Sequence, residues 1–192
     1  MLLLDASGDR VLAQRTITII LQKGSGKLID EKTFVDVLNR RGSMVYKLAF
    51  VHMKSEYDAE DIYQIVFERY LKYEPEFSDE QHEKAWFIVA TINACKTMIS
   101  SSWNRHNITL GEEGWQSVLS DYSKSNMTTE DNVVIEALLQ LPDADRVIMQ
   151  LFYYEEYSVK EIAHIMELKV GTVTTRLSRA RKRMEKLLKG RL

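Results

Sequence analysis

The sequence predicts an all-α protein of two small helical domains, a three-helix bundle and then a four-helix unit, joined by a flexible linker. Three observations predict it. Apolar residues recur with the 3.6-residue helical period over most of the chain beyond residue 30. Breakers are scarce: 8 Gly and 2 Pro among 192 residues are too few for a turn-rich β-sandwich, and 45% hydrophobic content suffices for real cores. Between the periodic stretches, residues 107–129 gain Gly, Ser, Asn and acids and lose periodicity. A segment of that length is a tether, not a connection inside one compact domain.

Residues 1–30 form an N-terminal extension to which no role is assigned. Within it Thr16-Ile17-Thr18-Ile19-Ile20-Leu21 closes on Lys23-Gly24-Ser25-Gly26, the pattern of a short strand or a loose arm. The first domain occupies residues 31–106. Its opening stripe is Phe34, Val37, Leu38, Val45, Leu48, Ala49 and His52, interrupted near Gly42. A second helix opens at Asp58, which is placed to cap it and sets acids at the positive end of the helix dipole. Ala59, Ile62, Tyr63, Val66, Phe67, Tyr70 and Leu71 form its inward stripe, leaving Asp61, Gln64 and Glu68 outward. After Pro75, Ser78-Asp79-Glu80-Gln81 reads as a capping box that starts a third helix through Ala85, Trp86, Val89 and Ile92 to about Ser101. The second domain, 130–192, carries four helical segments, at about 130–141, 143–155, 158–166 and 170–189.

A formal net charge of −2 hides strong segregation. Residues 107–157 hold ten acids and two bases, whereas 158–192 hold ten bases and three acids. A local +7 inside a mildly acidic chain is the footprint of a polyanion site, or else a solvated basic helix face. The single cysteine, Cys95, excludes a disulfide framework and a cysteine-rich zinc site, and its apolar neighbours mark a buried, inert thiol. No stretch is apolar for the length a bilayer requires, and the N-terminus lacks the basic and apolar regions of a signal peptide. The expectation is therefore a cytoplasmic protein without membrane insertion. His52, His82, His106 and His164 have no metal-ligand spacing, and there is no phosphate-cradling Gly-rich loop or nucleophile elbow. No catalytic residue, no metal and no cofactor is expected.

Ser158-Val159-Lys160-Glu161 is a capping box at the head of a short helix with Ile162, Ala163, Ile165 and Met166 on its apolar face. The turn Glu167-Leu168-Lys169 leads into a longer helix. Short helix, tight turn and long basic helix are the dimensions of a helix-turn-helix. At 100° per residue the second helix turns Val173, Leu177, Ala180, Met184 and Leu187 inward, and Thr175, Ser178, Arg179, Lys182 and Lys186 outward. Thr172, Thr174, Arg176, Arg181 and Arg183 flank the outward row, and Glu185 is the helix's one acid. Arginine reads guanine bidentately, hydroxyls touch phosphates or base edges, and lysine neutralises phosphate. Thr172, Thr174, Thr175, Ser178 and Arg179 should lie nearest the bases, with Arg181, Lys182 and Arg183 better placed for the backbone.

Two signatures together resemble a known family. One is Asp58-Ala59-Glu60-Asp61-Ile62-Tyr63-Gln64-Ile65-Val66-Phe67 with His82-Glu83-Lys84-Ala85-Trp86-Phe87-Ile88-Val89-Ala90-Thr91-Ile92-Asn93; the other is Leu141-Pro142, then Tyr157-Ser158-Val159-Lys160-Glu161-Ile162-Ala163 and Gly171-Thr172-Val173-Thr174-Thr175-Arg176-Leu177-Ser178-Arg179-Ala180-Arg181. Their order and spacing are similar to those of the extracytoplasmic-function (ECF) group of bacterial RNA polymerase sigma factors. The resemblance covers about residues 31–189.

The resemblance implies a transcription initiation factor that is not an enzyme. Its partners would be core RNA polymerase, promoter DNA and an anti-sigma factor. Asp61, Gln64 and Glu68 would dock on the polymerase; without the resemblance they read as a solvated helix face. Asn93, Lys96 and Arg105, with the loop 74–81, would serve the −10 element, where melting requires pockets for unstacked bases and cations beside the strands. Trp86, on the inward stripe, reads as core, not as a base platform. The family's acid and arginines beyond Asn93 are replaced by Thr97 and Ser100-Ser101-Ser102. Thr172, Thr174, Thr175, Arg176, Ser178, Arg179, Arg181 and Lys182 would form the −35 surface. The competing reading is a stand-alone helix-turn-helix regulator that binds a palindromic site without polymerase.

Overall fold

A computed structural model of the chain describes residues 31–103, 129–189 and 191. The strand or arm expected at 16–21, the linker expected at 107–129 (all but its last residue) and Arg105 lie outside the described residues. Among those described there are seven helices and no strand: α1 Glu31–Met53, α2 Glu56–Tyr73, α3 Glu80–Trp103, α4 Thr129–Leu139, α5 Asp143–Tyr153, α6 Val159–Ile165 and α7 Val170–Leu188. The chain divides into two compact units, one holding α1–α3 and the other α4–α7.

In the first unit each helix packs on the other two. Leu48, Phe50, Ile62, Phe67, Phe87, Ile88 and Ile92 are fully buried between them. The stripe of α1 is not interrupted at Gly42, because the helix runs through it unbroken. Gly42 is a site of close approach: a Cβ there would lie 2.9 Å from the Tyr63 hydroxyl of α2. Glycine lowers helix propensity by about 1 kcal/mol relative to alanine, and here that loss lets two helices meet.

Two helix starts differ from the sequence expectation. The cap of α2 is Ser55, in extended conformation, whose hydroxyl accepts the Asp58 backbone N–H at 3.2 Å. Asp58 therefore sits in the first turn, where its charge still favours the dipole. The cap of α3 is Asp79, not Ser78: its carboxylate accepts the His82 N–H at 2.7 Å, and the Ser78 N–H donates to His82 Nδ1 at 3.3 Å. Serine and aspartate rank alike at this position, so reach decides, and the His82 N–H lies within bonding distance of the Asp79 carboxylate.

The first turn of α3 is tied to α1 by charge. Arg41, 6% exposed, donates to Glu83 Oε1 at 2.7 Å and to the Glu80 carbonyl at 3.1 Å, while Arg40 holds the other Glu83 oxygen. The thiol of Cys95 is buried, in line with an inert role.

In the second unit α4, α5 and α6 all pack on α7. Buried Arg146 closes the α4–α5 corner, donating to the Leu141 carbonyl at 2.6 Å and to Asp143 at 3.2 Å. Burial pulls its guanidinium below the ordinary value. The capping box of α6 is present in both directions: Glu161 N–H donates to Ser158 Oγ at 3.3 Å and Ser158 N–H to Glu161 Oε2 at 2.8 Å. The helix ends in a left-handed Glu167 (φ 58°), with N–H bonds from Glu167 to the His164 carbonyl and from Leu168 to that of Ala163. That is the Schellman pattern, here without its usual glycine. It turns the chain sharply into α7.

Two outcomes are expected. Gly42→Ala lowers the melting temperature, since overpacking costs about 1–3 kcal/mol against a propensity gain of about 1 kcal/mol. In a Tyr63→Phe background, which removes the obstructing oxygen, the same change raises it; circular-dichroism melts of the four proteins decide. The second concerns pH. Hydrogen bonds from Ser158, side chain first and backbone second, hold the Glu161 carboxyl below the usual carboxylate range. A depressed folded-state pKa contributes stability that is present above the unfolded value and is lost as pH falls through the folded one. Glu161→Gln is therefore less stable than the wild type at neutral pH and equal to it once the pH has fallen below the folded pKa, as denaturant midpoints across pH will report.

Candidate nucleic-acid interface

The surface is built on α7. Val173, Leu177, Ala180 and Met184 are buried, and Leu187 is half-buried. With that stripe held by three other helices, the rest of the circumference is fixed. Thr174, Thr175, Ser178, Arg179, Arg181 and Lys182 are exposed, and Thr172 and Arg176 half-exposed. Each predicted −35 residue therefore lies at the surface of one helix.

Their chemical states differ. Thr174 Oγ1 donates to the Val170 carbonyl at 3.0 Å and Thr175 Oγ1 to the Gly171 carbonyl at 2.8 Å. With their hydrogens turned back on the helix, both hydroxyls present acceptor lone pairs and methyl groups outward. Such groups suit an exocyclic amine or a thymine methyl in a major groove. Among the described residues, Ser178, Arg179 and Lys182 engage no protein partner and are free to reach outward.

Arg176 and Arg181 are engaged within the protein. Arg176 Nη1 donates to Asp145 Oδ1 at 3.0 Å, and Arg183 Nη1 to the other oxygen, Oδ2, at 2.9 Å. Arg181 Nε donates to the Tyr153 hydroxyl at 2.8 Å, with its guanidinium 5.3 Å from the centre of the Phe152 ring. Cation–π stacking of this kind orients the side chain while keeping its charge. Asp145 and Tyr153 were not singled out in the sequence. The available signal was an acid inside the apolar pattern of residues 143–153, facing a helix rich in arginine. An open cleft beside these groups is lined by Pro142, Asp145, Gly171, Thr172, Thr175, Arg176, Arg179 and Arg183.

In the first unit Asn93 and Lys96 are exposed on α3. The hydroxyls of Thr97, Ser100 and Ser101 donate to the carbonyls of Asn93, Thr97 and Met98, all within 3.0 Å, and so turn back on their own helix. Asp61, Gln64 and Glu68 share one face of α2 but are half-exposed, not fully outward. Trp86 is half-buried, with its ring edge-on to Tyr70, Phe77 and Phe87 at 5.0–6.1 Å between centroids. This aromatic cluster anchors the 74–79 loop and gives Trp86 the packing role read from its stripe. Among the described residues no group of side chains is arranged to hold a metal ion, and no helix is long and apolar enough to cross a membrane.

Comparison with known proteins matches two family descriptions in this order: Sigma-70 region 2 over residues 37–105, and Sigma-70, region 4 over residues 131–184. The chain is 30% identical over 139 residues to the RNA polymerase sigma factor SigV of Bacillus subtilis (strain 168), covering 72% of this chain and 81% of the relative. It is 26% identical over 171 residues to the ECF RNA polymerase sigma factor SigW of the same organism, covering 83% and 91%. Two solved structures share its fold. One is the sigma factor RpoE with the anti-sigma factor NepR from Bartonella quintana, at TM-score 0.62 and 20% identity over 83% of this chain and 98% of that one. The other is CnrH with the cytosolic domain of CnrY, at TM-score 0.57 and 19% identity over 94% and 97%. With both regions matched in order on one short helical chain, and residues 170–184 of α7 inside the region 4 match, the protein belongs to the ECF group of bacterial RNA polymerase sigma factors.

Proposed function

We propose that the protein binds core RNA polymerase and directs initiation at promoters read through a −35 duplex and a −10 single strand. The observation that carries this reading is α7. One face is buried against three helices, and the other offers hydroxyls and cations with a single acid. Phosphate contacts fix register and base-edge contacts select sequence, and this face holds groups for both. Residues 130–192 would read the −35 element with Thr172, Thr174, Thr175, Ser178 and Arg179 toward the bases and Lys182 toward phosphate.

Residues 31–106 would supply the other contacts: Asp61, Gln64 and Glu68 to polymerase, and Asn93, Lys96 and Arg105 to the −10 strand. Residues 107–129 would tether the two parts. The chain performs no bond chemistry in this reading; polymerase does. An anti-sigma factor is a further partner, because both structural relatives were captured with another polypeptide, named in one case as an anti-sigma factor.

The first test is co-elution of the purified chain with bacterial core RNA polymerase on a sizing column. The wild type co-elutes and Asp61→Arg/Gln64→Ala does not. A wild type that elutes alone while binding duplex DNA tightly is instead a stand-alone regulator. At the −35 surface, Arg179→Ala costs about 1–3 kcal/mol at one base pair and relaxes preference there; equal loss on every sequence removes Arg179 from base reading. Lys182→Ala reduces the slope of log affinity against log salt by about 1 with preference unchanged, and an unaltered slope places Lys182 off the phosphates.

A further inference from the structure

Asp145 has no part in the roles assigned above. It lies on α5, outside the reading helix, and its side chain is 6% exposed. Both of its oxygens are nevertheless taken by α7, one by Arg176 and one by Arg183. Those arginines are seven residues apart, two helical turns along one edge. Their own side chains remain open to water, at 39% and 51% exposure. A buried carboxylate between two half-open guanidinium groups offsets one of their two charges and draws both to the same edge of the helix. Beside them lies a cleft of about 570 Å³ that Thr172, Thr175 and Arg179 also line.

Released from that carboxylate, two long cations would sweep the phosphates on either side of the groove. Such contacts raise affinity for all sequences alike, because phosphates carry no sequence information. We propose that Asp145 is a positioning residue of the reading surface, holding Arg176 and Arg183 off indiscriminate phosphate contact and leaving discrimination to Thr174, Thr175, Ser178 and Arg179. This rests on the reading of α7 as a DNA-binding helix.

The test uses the full chain and its Asp145→Asn, Asp145→Leu and Asp145→Glu variants, titrated from low salt upward with a fluorescent mixed-sequence duplex. Sequences retained from a random duplex pool are read in parallel. The Asn and Leu variants bind the mixed duplex more tightly at low salt. Their salt dependence steepens by about 0.9 per cation released, and their sequence enrichment weakens. Asp145→Glu keeps the charge and the wild-type slope. A residue of purely structural importance would lower affinity without steepening the slope, so folded Asn and Leu variants with wild-type slope and enrichment overturn the proposal. A wild type with no salt-dependent duplex binding overturns the DNA reading itself, whatever the variants do. Nitrogen-15 spectra of the wild-type guanidinium groups decide the matter even where the variants fail to fold. On addition of duplex the Arg176 and Arg183 signals hold while that of Arg179 moves; movement of all three refutes the role.

Discussion

Helix α7 must bury one face and leave the other bare, and the second unit is organised by that division. Three helices rest on its apolar stripe, so the unit has no core without it. A rotation of α7 by one residue, about 100°, would turn a polar or charged side chain into the apolar interior of the unit and carry Leu177 toward water. The penalty for an unpaired buried charge far exceeds any single packing gain. The orientation of the basic surface is thus a by-product of hydrophobic burial, and the outward groups require no dedicated support. Where support does exist, at Asp145 and Tyr153, it comes from the one helix, α5, that lies beside the basic edge.

The first unit solves a different problem. Its irregular segment, residues 74–79, must stay ordered between two helices. Glu74 ends α2 in the left-handed region (φ 41°), its N–H returned to the Tyr70 carbonyl. Phe77 then packs against both Tyr70 and Trp86, which touch each other, stacked on the first at 6.5 Å and edge-on to the second at 6.0 Å. Arg41 grips Glu80 and Glu83 immediately beyond. Arg41 is buried while its acidic partners keep contact with water, so these charges tie the first turn of α3 to α1, and with it the row that carries Asn93 and Lys96.

Much of this was legible from the residues alone. The helices of the second unit, the reciprocal cap of Ser158 and Glu161, and the two faces of α7 all follow from patterns within a few residues of one another. What escaped notice depends on distance in sequence or on local competition. Gly42 reads as a break until Tyr63, 21 residues on, is seen against it. Asp145 and Arg176 are 31 residues apart, and no periodicity links them. Ser55 and Asp58 are both good caps, as are Ser78 and Asp79, and each contest is settled by which backbone N–H lies within reach. Trp86 and Val89 share a predicted stripe, yet α3 has to bury Phe87, Ile88, Thr91 and Ile92 between two neighbours, which turns Val89 out to solvent.

The seven-residue length of α6 has a consequence of its own. Isolated helices shorter than about 12–15 residues are marginal in water, so α6 persists only while it is docked on α7. The first half of the helix-turn-helix is therefore not a part that loosens by degrees. Its amides should surrender their protection from hydrogen exchange together, at a free energy no higher than that of the Val173–Ala180 stripe beneath. A thermal fluctuation that undocks α6 therefore melts it, even where α7 stays packed on α4 and α5.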